Sequence, residues 1–271
     1  MTPIERSHLR ALARIARREA GLHLPDAKAA FLAARMQRRL RATGTESMEH
    51  YLALATRTDA AGRIERRRLV SALTTNVTFP FREPHHFEIL GHWLASEEIH
   101  RRNEDRPLRI WSAGCSTGEE PLSIAATCRR VLGARWRRRV RILATDVDDQ
   151  AIRTAGARRN GDELLSTMAE SLRDVVPACT DLHAIGSDLQ GAIHYVVHNL
   201  LTSPPEGPPF DVIFCRNVTI YFDTSSATEA HNALSGRLGP RGFLFLGHSE
   251  RLLAPASGLE SIGRTAYRMT R

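Results

Sequence analysis

Polar residues able to do chemistry gather at four points of this 271-residue chain, and each group follows an apolar, β-rich run. Ser112-Ala113-Gly114-Cys115-Ser116-Thr117-Gly118-Glu119-Glu120-Pro121 follows Leu108–Trp111, and Thr145-Asp146-Val147-Asp148 follows Val140–Ala144. His198-Asn199-Leu200 follows Ile193–Val197, and Arg216-Asn217-Val218-Thr219-Ile220-Tyr221-Phe222 follows Phe210–Cys215. Open α/β sheets bind ligands at the carboxyl ends of their strands. In the first group two glycines permit close backbone approach to a ligand, and Pro121 suits the first turn of a helix. The loop is neither GxGxxG nor a P-loop, because GK[ST] is missing. Glu119 and Glu120 would repel a pyrophosphate, so a ligand carrying positive charge fits better. The alternative is a plain turn whose acids complement a helix N-terminus. Asp146 stands where nucleotide-binding folds hold ribose hydroxyls, whereas Asp148 suits a helix N-cap. Four polar strand ends in this order point to a bound nucleoside.

Other chemistries find little support. No Ser-His-Asp set is visible. His85-His86 has no acidic or cysteine cluster around it, so no metal is expected and the pair reads as structural. Cys115, Cys128, Cys179 and Cys215 are scattered without a CxxC pair, as in a reduced cytoplasmic protein rather than a disulfide frame or a zinc site. Trp93, Trp111 and Trp136 read as packed residues. With 42% apolar and 25% charged residues the chain is neither disordered nor collagenous. It has no run near the ~20 apolar residues of a membrane span and no apolar signal core at its start, so a cytoplasmic location without membrane insertion is expected.

The elements that must position these groups fall into two kinds. Leu9, Leu12, Ile15 and Ala16 recur at helical spacing before Gly21, and Leu32, Met36 and Leu40 do so before Gly44. A third helix contains Met48, Tyr51, Leu52 and Leu54, and a fourth runs from about Ile64 to Leu73. This predicts a small all-α unit over 1–75 and a connecting segment over 76–107, irregular at Thr74–Pro84. From 108 to 271, apolar strands alternate with helical stretches such as Pro121–Leu132, the last strand being Gly242–Leu246. That pattern predicts an α/β fold, a doubly wound, mostly parallel sheet covered on both faces. The stretch 153–192 is poorly periodic and reads as helix plus loop or a small inserted subdomain.

Charge divides along the same boundary. Residues 1–75 carry 15 Lys+Arg against 7 Asp+Glu, and residues 76–271 carry 23 against 23, so the whole net charge of +8 sits in the helical part. An anionic partner for that part is expected, or else a merely solvated arginine-rich surface.

Four segments together resemble the CheR-type chemotaxis receptor methyltransferases: Thr75–Glu83 (Thr-Asn-Val-Thr-Phe-Pro-Phe-Arg-Glu), Trp111–Pro121, Phe214–Asp223 and Gly247-His248-Ser249-Glu250. Their order and spacing extend the resemblance over nearly the whole chain. It implies a methyltransferase-type sheet that uses S-adenosylmethionine, with S-adenosylhomocysteine as product. The substrates implied are glutamate side chains on the cytoplasmic signalling helices of methyl-accepting chemoreceptors. It implies that Asn76, Thr78 and Arg82 contact the cofactor near its methionine end, with Arg82 also at the reaction centre. By the same resemblance Glu120 meets the methionine portion, Asp146 the ribose, and Asn199 and Leu200 the adenine. Arg216 and Asn217 lie against the cofactor, and Tyr221 stands beside the methyl group. The basic helical part matches the family's substrate-recognising domain, where Arg35, Arg38, Arg39 and Arg41 offer donors to an acidic receptor helix. Pro80 stands where family members commonly have a second Phe. The stretch 153–192 matches poorly to a small β-subdomain that in some members docks a tethering peptide. A working monomer is expected.

Two other readings remain. A nucleic-acid methyltransferase would suit the basic part, but Arg216-Asn217-Val218-Thr219 replaces an Asp/Asn-Pro-Pro-Tyr motif and no basic–aromatic interleaving is present to stack bases, so no nucleic-acid partner is expected. A non-catalytic S-adenosylmethionine-binding regulator would keep the pocket alone.

Overall fold

A computed structural model describes residues 4–100, 106–157, 188–252 and 258–270. The expected insertion across 153–192 lies largely outside the described residues, as does Cys179. The chain opens with four helices: α1 (Arg6–Ala20), α2 (Ala29–Thr43), α3 (Met48–Thr56) and α4 (Ala60–Leu73). Their apolar stripes meet in one cluster holding Leu12, Ile15, Leu32, Met36, Leu40, Tyr51 and Leu69. Gly21 and Gly44 end α1 and α2 in the left-handed region, at φ 70° and 66°. Helix α4 starts four residues before Ile64, because the Asp59 carboxylate caps it by accepting from the Gly62 N–H.

After the irregular segment at 74–84 come α5 (His85–Leu94) and α6 (Glu97–His100), then the α/β part. Its strands are β1 (Leu108–Ala113), β2 (Val140–Asp146), β3 (Ile193–Val197), β4 (Phe210–Cys215), β5 (Leu238–Leu246), β6 (Leu259–Gly263) and β7 (Ala266–Met269). They form one sheet in the order β3-β2-β1-β4-β5-β7-β6. β1 to β5 are parallel, and β6 and β7 pair antiparallel at the edge. Helices α7 (Glu119–Leu132), α8 (Trp136–Arg139), α9 (Asp149–Ala157) and α10 (Thr224–Ser235) lie between the parallel strands. Both sheet faces are covered: Phe214 packs in a cluster with Phe87 and Leu122, while its neighbour Ile213 packs on the opposite side with Trp111 and Leu234. The three tryptophans are buried, as expected. The order reverses between β1 and β4, and that switch point opens a crevice beside their carboxyl ends.

The helical part is bolted to this crevice. The Asp148 carboxylate caps α9 and accepts from the Ser71 hydroxyl, from Thr74 Oγ1 at 2.9 Å and from Asn76 Nδ2 at 2.7 Å. On the other side Asn199 Nδ2 donates to the Glu19 carbonyl at 2.9 Å, His23 N–H to the Tyr221 carbonyl at 2.7 Å, and Arg17 pairs with Asp223 at 2.5 Å.

Candidate functional site: a nucleoside cleft at the switch point

The loop after β1 turns through positive φ at Gly114 (87°), Ser116 (51°) and Gly118 (99°). A Cβ on Gly114 would fall 2.2 Å from Val218 Cγ2, so only glycine lets this loop and the one after β4 approach. Ser116 N–H donates to Asp146 Oδ2 at 2.8 Å, and Asp148 N–H donates to Asp146 Oδ1 at 2.9 Å. Asp146 is nevertheless 9% exposed, and burial lifts its carboxyl to about 6 against the pull of those two donors.

A second charged group sits across the cleft. The buried Arg216 guanidinium lies 3.3 Å from Glu120 Oε2 and 3.6 Å from Glu83 Oε2, and it donates to the Arg82 carbonyl. Ser112 Oγ donates to Glu120 Oε1 at 2.7 Å. Burial raises the Glu120 carboxyl despite these partners. At Glu83 burial pushes upward too, but Arg216 and donors from His248 hold the carboxyl below its ordinary value. Two carboxylates around one buried arginine leave the wall acidic, which suits a cationic ligand better than a phosphate.

The 74–84 segment and the β4 loop reach this arrangement by strained backbone. Phe81, Glu83 and Asn217 adopt φ of 52°, 56° and 59°. Phe81 is pinned after Pro80 by its N–H on Ser123 Oγ at 3.0 Å and by an edge contact to Phe87, with ring centroids 5.3 Å apart. The β4 loop is held by Glu250. That buried carboxylate accepts from the N–H groups of Asn217 (2.6 Å), Val218 (3.0 Å), Thr219 (2.7 Å) and Gly247 (2.6 Å), and from Thr219 Oγ1 (2.8 Å).

All ten residues expected at the cofactor and reaction centre (Asn76, Thr78, Arg82, Glu120, Asp146, Asn199, Leu200, Arg216, Asn217 and Tyr221) line this one cleft. Their side chains are not equally free. The Asn76 amide is engaged by Asp148, and that of Asn199 donates to Glu19 and accepts from Leu201 N–H at 3.0 Å, so both shape the walls. The Ser116 hydroxyl is buried without a hydrogen-bond partner, an orphan that a ligand would satisfy. With the buried Asp146 carboxylate for hydroxyls and the Glu120 side for an ammonium, the donor and acceptor set fits S-adenosylmethionine.

Residues 76–267 match the CheR methyltransferase SAM-binding domain, and residues 7–74 match the CheR methyltransferase all-alpha domain. The chain belongs to the CheR methyltransferase family. It is similar to a probable chemotaxis protein methyltransferase of Rhizobium etli, at 34% identity over 93% of this chain and 96% of the relative. It is similar to the chemotaxis protein methyltransferase of Escherichia coli, at 34% identity over 98% and 91%. Chemotaxis protein methyltransferase 2 of Pseudomonas aeruginosa is 35% identical over 91% and 87%. This CheR-family chain is therefore an S-adenosylmethionine-dependent methyltransferase.

In this CheR-family chain the expected arginine face on α2 needs correction. Arg39 does not face a partner: it forks onto Glu65, with Nη2–Oε1 at 2.6 Å and Nη2–Oε2 at 2.7 Å, beneath the Tyr51 hydroxyl, which donates to Glu65 Oε1 at 2.7 Å. Arg35 is half-buried and packs over the Phe31 ring, 5.1 Å from its centroid. Arg38 and Arg41 remain exposed. Nε2 of both His85 and His86 lies 3.1 Å from the Arg264 carbonyl, tying α5 to the β6–β7 turn, but the pair is not without an acidic neighbour as the sequence suggested: Glu83 joins them, with ligand atoms of all three within 4.8 Å of one another. Sequence reasoning missed Glu83 and Glu250. Both lay inside the segments that carried the resemblance, and a carboxylate closing a Gly-His-Ser-Glu run just beyond a core strand was the available signal.

Proposed function

We propose that this methyltransferase esterifies glutamate side chains on the cytoplasmic signalling helices of methyl-accepting chemoreceptors. The observation that carries the reading is that the acidic, arginine-bridged cleft is lined in part by the basic helical bundle, at Ala20 and Leu22, and is hydrogen-bonded to it through Asn199 and Glu19. On this reading residues 1–75 recruit the receptor, 76–107 add cofactor contacts and 108–271 hold the cofactor. When bound, S-adenosylmethionine supplies an electrophilic methyl group on a cationic sulfur and leaves as S-adenosylhomocysteine.

The protein's own residues then have a short list of tasks. A glutamate with an ordinary pKa of ~4.3 is already ionised at neutral pH, so no general base is required. Transfer would form the oxygen–methyl bond at the expense of the carbon–sulfur bond and leave the electron pair on sulfur, so the protein would have no proton to move. Arg82 at the cleft mouth orients the incoming carboxylate, and the Tyr221 hydroxyl fixes one of its oxygens. Tight pairing would lower the nucleophile's reactivity, so both act by orientation. Glu120 would receive the cofactor's amino group, Asp146 its ribose hydroxyls, and Asn199 and Leu200 would border the base. Thr78, Arg216 and Asn217 complete the walls and exclude water. No helix among the described residues is long and apolar enough to cross a membrane.

Methyl-labelled cofactor incubated with the protein and a receptor cytoplasmic fragment tests the reading. Label on the fragment that alkali releases as methanol is the expected result. Cofactor binding with no transfer, or alkali-stable label, overturns it.

A further inference from the structure

Seven large apolar side chains stand exposed among the described residues, and three of them ring the mouth of the cleft: Val77 (72% exposed), Phe79 (54%) and Ile220 (46%). The other four are Ile64 of α4, Val196 and Val197 of β3 and Ile262 of β6. Apolar groups gathered at the rim of a polar cleft mark a place where something docks.

The collar is exposed yet held in place. Arg82 Nη1 donates to the Val77 carbonyl at 3.1 Å, and its guanidinium lies over the Phe79 ring, 5.7 Å from the centroid. Phe79 is followed by Pro80, with its restricted φ, and by the anchored Phe81, so the outward ring is mounted on a fixed turn. Ile220 sits opposite in the turn Thr219–Tyr221, whose first residue is clasped by Glu250. A cation between immobile apolar lips is preorganised for a carboxylate with apolar neighbours.

We propose that Val77, Phe79 and Ile220 select the target glutamate by its flanks: they grip apolar side chains one helical turn on either side of it. This inference rests on the receptor-glutamate reading and adds the specificity to it. The occupant is an amphipathic helix that presents one glutamate within an apolar stripe, since residues three and four apart share a face. Its remaining acidic surface meets the helical part, which carries all of the chain's +8 net charge. Charge then sets recruitment, and the collar decides which carboxylate enters.

The test uses the full chain, a receptor cytoplasmic fragment, and the variants Phe79→Ser and Ile220→Ser, singly and together. The double variant is expected to raise KM for the fragment about tenfold, from the apolar contact removed, with kcat and S-adenosylhomocysteine affinity changed less than about twofold. Aspartate placed one turn from the target glutamate is expected to impair the wild-type enzyme and to add little to the defect of the double variant. An unchanged KM, equal losses in both enzymes, or a tenfold weaker S-adenosylhomocysteine affinity overturns the collar. Absence of alkali-labile label with the wild-type enzyme sinks the receptor-glutamate reading itself, whereas labelling with a flat KM sinks only this inference.

Discussion

Ionisation of Asp146 should set how tightly the cleft holds its nucleoside. Burial lifts this carboxyl from 3.8 to about 6, outweighing the donors from Asp148 and Ser116. The gap corresponds to about 3 kcal/mol. A raised folded-state pKa means that the folded protein binds the proton more tightly, so the cost to stability is complete above pH ~6 and disappears below pH ~4. Ribose hydroxyls donating to the carboxylate favour the ionised form, so cofactor affinity runs the other way and improves as pH rises. At pH 5 about one Asp146 in eleven is ionised, and at pH 7 about ten in eleven. The Kd for S-adenosylhomocysteine should therefore weaken about tenfold from pH 7 to pH 5. Asp146→Asn keeps one acceptor oxygen and turns an NH2 group toward one of the two backbone donors. Losing a charged acceptor of about 1.5–3 kcal/mol weakens binding at pH 7 by roughly 10–100-fold and removes the pH step. Glu120 and His198 share the cleft, so the difference between the two proteins, rather than either profile alone, isolates Asp146. Calorimetric titration at constant ionic strength between pH 5 and 8 reads both quantities. A flat wild-type profile, or a variant with the same affinity and the same pH step, refutes the reasoning.

Glu65→Ala strands Arg39 and the Tyr51 hydroxyl inside the helical part and should cost about 3–5 kcal/mol in chemical denaturation; an unmoved midpoint contradicts the buried triad. Arg38→Glu with Arg41→Glu should leave the melting temperature nearly unchanged and slow receptor methylation most at low salt, and an unaltered rate there removes them from the interface. Glu250→Ala leaves five donors unpaired and should lose at least about 3 kcal/mol together with cofactor affinity, while Glu250→Gln falls between; equal melting curves for all three proteins exclude the clasp. Burial raises the thiols of Cys115, Cys128 and Cys215, so a thiol reagent near neutral pH should label them only after unfolding, and rapid labelling of the folded protein at these positions contradicts that burial.

The legible parts of the fold are those where burial on two sides leaves an uninterrupted apolar run. Phe210–Cys215 shows its observed bounds in the sequence for that reason, whereas Ile193–Val197, an edge strand with three of five residues exposed, shows them through its β-rich composition alone. β6 escaped notice because four of its five residues are exposed at the sheet edge, leaving no apolar signal. β5 begins four residues early, across Pro240 and Arg241, where φ of 59° bends the strand and the register shifts. The site was legible as a set of strand ends, because topology alone brings those ends to one crevice. Contacts between distant segments were not legible. Arg39 sits in a run of arginines that looks solvated, and its partner is 26 residues away. Glu250 serves a loop some thirty residues earlier, and nothing adjacent to it announces that loop.

The joint at Asp148 has a consequence for how such enzymes could trade parts. One carboxylate starts α9, accepts from Ser71 at the end of α4, and lies two residues from Asp146 in the crevice. A chimera that grafts another relative's front end at the 75/76 boundary would import foreign neighbours for that carboxylate and disturb the nucleoside's seat along with the choice of client. Exchange of recognition modules in this lineage should succeed only when both sides of that hinge post travel together.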